Sequence, residues 1–173
     1  MLCLTLGTGV GGSIFIHGQL YRCANNAAGE IGHLPINESG PSCNCGGRAC
    51  LESYIGNNKI LQLARQVFGK DISLEELSRY ARCRDKRASG IWRKIGGHLG
   101  VALCAAVNLL NLDAIIIGGG VANAGRPLFS CLQETIRKRA MNVQAKQVRV
   151  FRAKLGSDAG MMGAALMVKE GVQ

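Results

Sequence analysis

No run in this 173-residue chain is long and apolar enough to span a bilayer. The opening MLCLTLGTGVGG has no basic leader and passes directly into a glycine turn, so it does not read as a secretory signal. These two absences make the cytoplasm the expected location, with no membrane partner expected. They also decide the reading of the eight cysteines. Without an export signal, and with 47% hydrophobic residues to build a core, the chain has no need of a disulfide scaffold. Cys43 and Cys45 are in any case too close in sequence to pair comfortably. Cys3 and Cys104 lie in apolar runs and are expected in the core. Cys23, Cys83 and Cys131 carry no pattern.

Acidic residues are also scarce. Eleven Asp and Glu face 21 Lys and Arg, for a formal net charge of +10. The bases cluster in RYARCRDKRASGIWRKIGG, Arg79 to Gly97. Only 5% of residues are aromatic, and no set of them interleaves with these charges as a nucleic-acid stacking platform requires. The cluster therefore reads as a solvated helix face, of a sign that suits an acidic partner domain, and nucleic-acid binding is not expected. Internal repeats and low-complexity linkers are absent, so the length fits one domain or one lobe of a larger protein.

What is present points to an α/β chain with a mixed sheet flanked by helices. Leu2 to Leu6 predicts a buried strand, Gly12 to Ile16 a second, and Gln19 to Arg22 a third beyond a turn at Gly18. A long loop follows, Cys23 to Cys50, of the kind that usually carries function. Helices are expected over Gly56 to Phe68, after an N-cap at Ser73 with Glu76 at capping-box spacing, and over Ala88 to Leu112. In the last of these Ile91, Ile95, Leu99, Ala102, Ala106, Leu109 and Leu110 recur at helical spacing. DAIIIGGGVA reads as strand, glycine turn and helix start. Pro127 to Asn142 reads as a helix, QVRVF as a strand and Asp158 to Lys169 as a closing helix.

Three segments carry candidate chemistry. The first, GEIGHLPINESGPSCNCGGRACLE, holds His33, Cys43, Cys45 and Cys50 in an H-x9-C-x-C-x4-C arrangement. These are four soft or borderline ligands, the set that a closed tetrahedral zinc site needs, so a structural zinc is expected. Gly46 and Gly47 relieve crowding where the chain folds back. The second, GTGVGG, joins two predicted strands and offers backbone N–H groups to phosphate. It lacks the G-K-[ST] of a Walker loop, and a strand follows it where a dinucleotide fingerprint would have a helix. The third, GGGVANAG, lies where a strand meets a helix, a geometry that suits a nucleotide.

In this order LGTGVGG, AAGEIGHLPI, CNCGGRACLE, IIIGGGVA and SDAGMMGAA resemble the C-terminal lobe of the ROK family, from Leu4 to Ala165. That family holds bacterial sugar kinases and sugar-responsive repressors built on the actin/hexokinase fold. The resemblance implies an actin/hexokinase-like (ribonuclease H-like) lobe over residues 1–173, with a zinc and sugar loop over 24–53. It implies zinc ligation by His33, Cys43, Cys45 and Cys50, and sugar contacts from Glu30, His33 and Glu52. It places a phosphate loop on Gly7, Thr8, Gly9, Gly11 and Gly12 and an adenosine motif on Gly118, Gly119 and Gly120. ATP with Mg2+ would serve the complete protein, and self-association is implied. Carboxylates suit sugar hydroxyls, and a metal-bound imidazole keeps one nitrogen fixed in direction for a further hydrogen bond. Glu38 matches no motif and is assigned to solvent.

The family's first phosphate loop, of D-x-G-x-T type, and its catalytic aspartate have no counterpart in the chain. Asp71, Asp85, Asp113 and Asp158 do not stand in the expected place. No helix-turn-helix precedes the fold. The expectation is a lobe that binds sugar and nucleotide but does not turn over alone, because phosphoryl transfer needs that base and a second lobe. The sensor lobe of a repressor is the alternative, and a dimerisation module with vestigial sites stands behind both. Intact nucleotide glycines favour the kinase. The sugar is not fixed among glucose, fructose, allose and the N-acetylhexosamines.

Overall fold

The structure is a computed structural model that describes residues 1–169. Its chain begins with β1 (Leu2–Leu6), β2 (Val10–Ile16) and β3 (Gln19–Tyr21). The loop segment follows, then α1 (Glu52–Ile55), α2 (Asn57–Phe68), α3 (Leu74–Arg82) and α4 (Lys86–Leu110). The last part holds β4 (Ala114–Gly118), α5 (Arg126–Arg139), α6 (Asn142–Gln147), β5 (Arg149–Arg152) and α7 (Ala159–Lys169).

The strands form one mixed sheet in the order β3-β2-β1-β4-β5. The first three are antiparallel, and β4 and β5 join parallel to β1. Alternation along β1 sends Leu2, Leu4 and Leu6 to one face. Ile115 and Ile117 of β4 share that face through the register Leu2↔Ile115 and Leu4↔Ile117. They form one core with Trp92, Ile95, Leu99 and Leu103 of α4 and with Leu128 and Leu132 of α5. Each such side chain contributes roughly 1.5–3 kcal/mol when fully buried.

Several boundaries move from their expected places. β2 begins at Val10 because Leu6 pairs with it, which draws Gly11 and Gly12 into the ladder opposite Thr5 and Leu4. Gly56 caps α2 instead of opening it, and α4, capped by Asp85, starts at Lys86, two residues before Ala88. The periodicity of α4 holds through Ala106, but Leu109 is 83% exposed and Leu110 is also exposed, beyond the buried stretch. The helix expected over Pro127 to Asn142 is α5, which ends at Arg139 where Ala140 turns extended, and a separate short helix, α6, begins at Asn142. The capping box is as expected: Ser73 Oγ accepts from the Glu76 N–H, and Glu76 accepts from the Ser73 N–H.

Cys104 is buried, but Cys3 is only half-buried. Cys3 lies on the other face of β1, with Thr5, Ile116 and Phe151, where the sheet is less covered. Helix α7 has no buried residue, although it carries Met161, Met162, Leu166, Met167 and Val168.

Candidate functional site

The segment after β3 is a loop, as its glycines and prolines require, but an ordered one. Ile31–His33 forms a single 3-10 turn, and its end carries His33. From there the chain doubles back through two isolated bridges, Pro35↔Cys50 and Ser42↔Arg48. Backbone bonds from Ile36 to Ala49, Ala49 to Pro41 and Leu51 to Leu34 lace the two arms. At the tip the Cys43 N–H donates to Gly47 and the Gly46 N–H to Cys43, with Gly46 in the left-handed region at φ 89°. This knuckle turns Cys43 and Cys45 back toward Cys50.

The ligand atoms of His33, Cys43, Cys45 and Cys50 all lie within 4.8 Å of one another. Cys43 Sγ is 3.7 Å from His33 Nδ1, and Cys45 Sγ is 3.7 Å from Cys50 Sγ. A tetrahedral site with metal–sulfur bonds of about 2.3 Å has edges of roughly 3.8 Å, so these four side chains can hold a metal ion. The backbone N–H of Cys45 holds the Cys43 thiol down to about 6, aided by His33. Burial pushes the Cys50 thiol up to about 12, with Cys45 and Cys43 adding to the shift. Cys50 is only 2% exposed, so it forms the floor of the cluster, while Cys45 is at the surface.

His33 turns its other nitrogen, Nε2, toward Glu30 Oε2 at 3.8 Å. Glu30 and Glu38 are exposed. Glu52, the first residue of α1, points elsewhere: its Oε2 accepts the Val10 N–H at 2.8 Å. A side chain at Gly9 would meet that carboxylate and displace it from Val10. The Asn57 N–H donates to Gly7 O, which pins the same turn to the start of α2. Thr8, Cys43, Glu52, Ser53 and Lys59 line one cleft of 470 Å³. Glu52 and Thr8 therefore share a cleft beside the cysteine cluster, whereas Glu30 and His33 are not among the residues that line it. The contact between Glu52 and Val10 has no signal in the sequence.

Gly118 ends β4, and Gly119, at φ 85°, passes so close to the Leu6 backbone that no side chain fits. Gly120 starts a 3-10 turn to Ala124, where a regular helix was expected, and α5 begins only at Arg126. The two glycine turns thus meet at the carboxyl ends of the parallel neighbours β1 and β4, where open α/β sheets hold their ligands. Beside Gly120 a second cleft, of 270 Å³, is lined by Leu74, Glu75, Ser78, Arg82, Asn123 and Arg152. Sequence reasoning missed all of these side chains, because they come from α3, the 3-10 turn and β5.

The chain is similar to several characterised proteins. It is 32% identical to the glucokinase of Thermotoga maritima, in an alignment covering 98% of this chain and 58% of that protein. It is 34% identical to the N-acetylmannosamine kinase of Vibrio vulnificus, covering 98% and 56%. It is 29% identical to the DNA-binding transcriptional repressor Mlc of Escherichia coli, covering 91% and 41%. Among solved structures it superposes on the ROK family glucokinase from Streptomyces griseus in complex with glucose and AMPPNP, with a TM-score of 0.86 and 29% identity. That match covers 96% of this chain and 59% of the other. The chain thus spans little more than half the length of the kinases it matches. The ROK family profile matches residues 1–171, and with these likenesses in sequence and fold the chain belongs to the ROK family.

Proposed function

We propose that this chain is the sugar- and nucleotide-binding lobe of a ROK-type ATP-dependent sugar kinase, with the actin/hexokinase-like fold. The observation that carries the reading is the bond from the Val10 N–H to Glu52. It joins the glycine turn to the end of the histidine–cysteine loop, so a phosphate-side element and a sugar-side element are built as one unit. Zinc on His33, Cys43, Cys45 and Cys50 fixes the loop that presents Glu30 and His33 to a sugar, while Glu52, held on Val10 in the adjoining cleft, offers its other carboxylate oxygen. Its role is structural, because the four protein ligands leave no open position. The backbone of Gly7, Thr8 and Gly9, with Gly11 and Gly12 behind them in β2, receives the phosphates of ATP and its Mg2+. Gly118, Gly119 and Gly120 receive the adenosine at the end of β4.

A second lobe completes the enzyme in this reading. The share of the relatives that the chain covers supports it, as do the half-open sheet face and the apolar, unburied surface of α7. All-parallel sheets are normally covered on both faces, and the β1, β4 and β5 part of this mixed sheet is parallel. The exposed side chains of Leu109, Met141 and Val143 offer a surface for self-association. Among the described residues no helix is long and apolar enough to cross a membrane, in keeping with a cytoplasmic kinase. The sensor lobe of a repressor is the second reading, and the likeness to Mlc is what favours it. A sensor would bind sugar and shift a conformational equilibrium without phosphoryl transfer.

Calorimetry with glucose, N-acetylmannosamine and ADP on the 173-residue chain, and a coupled ADP-release assay, test the proposal. Nucleotide binding without turnover is the expected result. Turnover near about 1 per second or above would overturn the single-lobe reading. Sugar binding with no detectable nucleotide binding would transfer the assignment to the sensor.

A further inference from the structure

The basic run from Arg79 to Gly97 does not form a uniform solvated face. Arg82 ends α3, Arg84 follows in the turn, and Arg93 stands on α4. All three line one cleft of 600 Å³ together with Arg126, the first residue of α5. Ser89 and Ser130 add hydroxyl groups to its wall. The volume lies within the range of small-molecule sites.

The charge balance in this cleft is one-sided. Its single carboxylate, Glu134, is held by Lys138 at 2.6 Å and is also stabilised by Arg93. Among the described residues, Arg82, Arg84 and Arg126 have no ion-pair partner. The α5 N-terminus opens here with no side-chain cap and no acidic residue in its first turn. Its free N–H groups and dipole add to the positive field. A concave surface of one sign raises the local concentration of counter-ions, and the planar guanidinium fork matches phosphate oxygens in pairs. The same groups without a ligand only repel one another.

We propose that the cleft between the α3–α4 turn and the start of α5 binds a small anion carrying at least two phosphate groups, through Arg82, Arg84, Arg93 and Arg126. The site is separate from the glycine turns. Only Arg82 is shared with the cleft beside Gly120. The proposal therefore stands whether or not that second cleft takes a nucleotide.

Inorganic pyrophosphate is the probe, at constant ionic strength and without divalent metal. Cys131 is half-buried in the wall of the cleft, so its alkylation by iodoacetamide, read by peptide mass spectrometry, reports occupancy at this place alone. Pyrophosphate is expected to bind saturably and to slow alkylation of Cys131. The Arg84→Gln/Arg126→Gln variant touches neither glycine turn. It should bind pyrophosphate about tenfold more weakly or worse and lose the protection, with unchanged far-UV dichroism. Equal affinity and equal protection in the variant would overturn the proposal. So would absence of saturable binding by the parent chain. Protection by citrate at least as strong as that by pyrophosphate would overturn the assignment to phosphates.

Discussion

Val10 and Glu52 stand 42 residues apart in sequence, yet the Val10 backbone N–H is satisfied by the Glu52 carboxylate at 2.8 Å. Val10 is buried, so no solvent replaces that acceptor readily. Glu52→Ala should strand the N–H and cost about 1–3 kcal/mol of stability. Glu52→Gln retains an oxygen of similar reach and should cost less than about half of that. Urea unfolding of both variants measures the difference. Equal losses would mean that the acceptor itself contributes little.

One zinc ion per chain should appear on elemental analysis of freshly purified protein. Cys45→Ser should lower that content. Metal binding should weaken as the pH falls, because the thiolate forms are the ligands. The sign differs between the two shifted thiols. Cys43, held down to about 6, has little proton left to give up to a metal at neutral pH. Cys50, pushed up to about 12, must surrender its proton to the metal. Calorimetry at pH 7.5 in buffers of different ionisation enthalpy should therefore register release of at least one proton. Chelation should leave the far-UV spectrum largely intact, since the core residues of α4, α5, β1 and β4 lie outside the loop. Full loss of helical signal would show that the fold itself rests on the ion.

Asp85 caps α4, accepting from the N–H groups of Arg87 and Ala88. The Arg87 guanidinium, followed by the Ala88 N–H, holds its carboxyl below the usual range. A lowered carboxyl contributes stability that is fully present above its unfolded value of about 3.9 and is lost as pH falls through the folded value. Asp85→Ala should therefore unfold at lower temperature than the parent near neutral pH. The gap should narrow toward pH 2.5. Melting curves at pH 7, 4 and 2.5 test this, and a gap that widens in acid would refute it.

Leu2, Leu4 and Leu6 announce a buried strand through their alternation, and Ile91, Ile95 and Leu99 announce α4 through helical spacing, because both patterns are local. The histidine–cysteine cluster was legible for a different reason: its four residues are all metal-ligand types, in the number that a tetrahedral site needs, within one segment. The short helix α6 was not legible, since NVQAKQ buries nothing and carries no apolar stripe. The start of β2 at Val10 was hidden because the ladder with Leu6 overrides the weak strand preference of its glycines. Contacts across tens of residues leave no local trace. The carboxylate on Val10 and the shared cleft of Arg84 and Arg126 both belong to that class.

The parallel pairing of β1 with β4 has a consequence for synthesis of the chain. β1, β2 and β3 can associate as soon as they leave the ribosome, but the other edge of β1 waits for Ala114 to Gly118. At translation speeds of 5–20 residues per second the wait is on the order of ten seconds. Throughout it, Leu2, Leu4 and Leu6 lie beside an unpaired edge, open to a neighbouring nascent chain. Crowded polysomes or a slowed elongation rate should thus favour misassembly of this protein, and holding chaperones should matter most before β4 emerges.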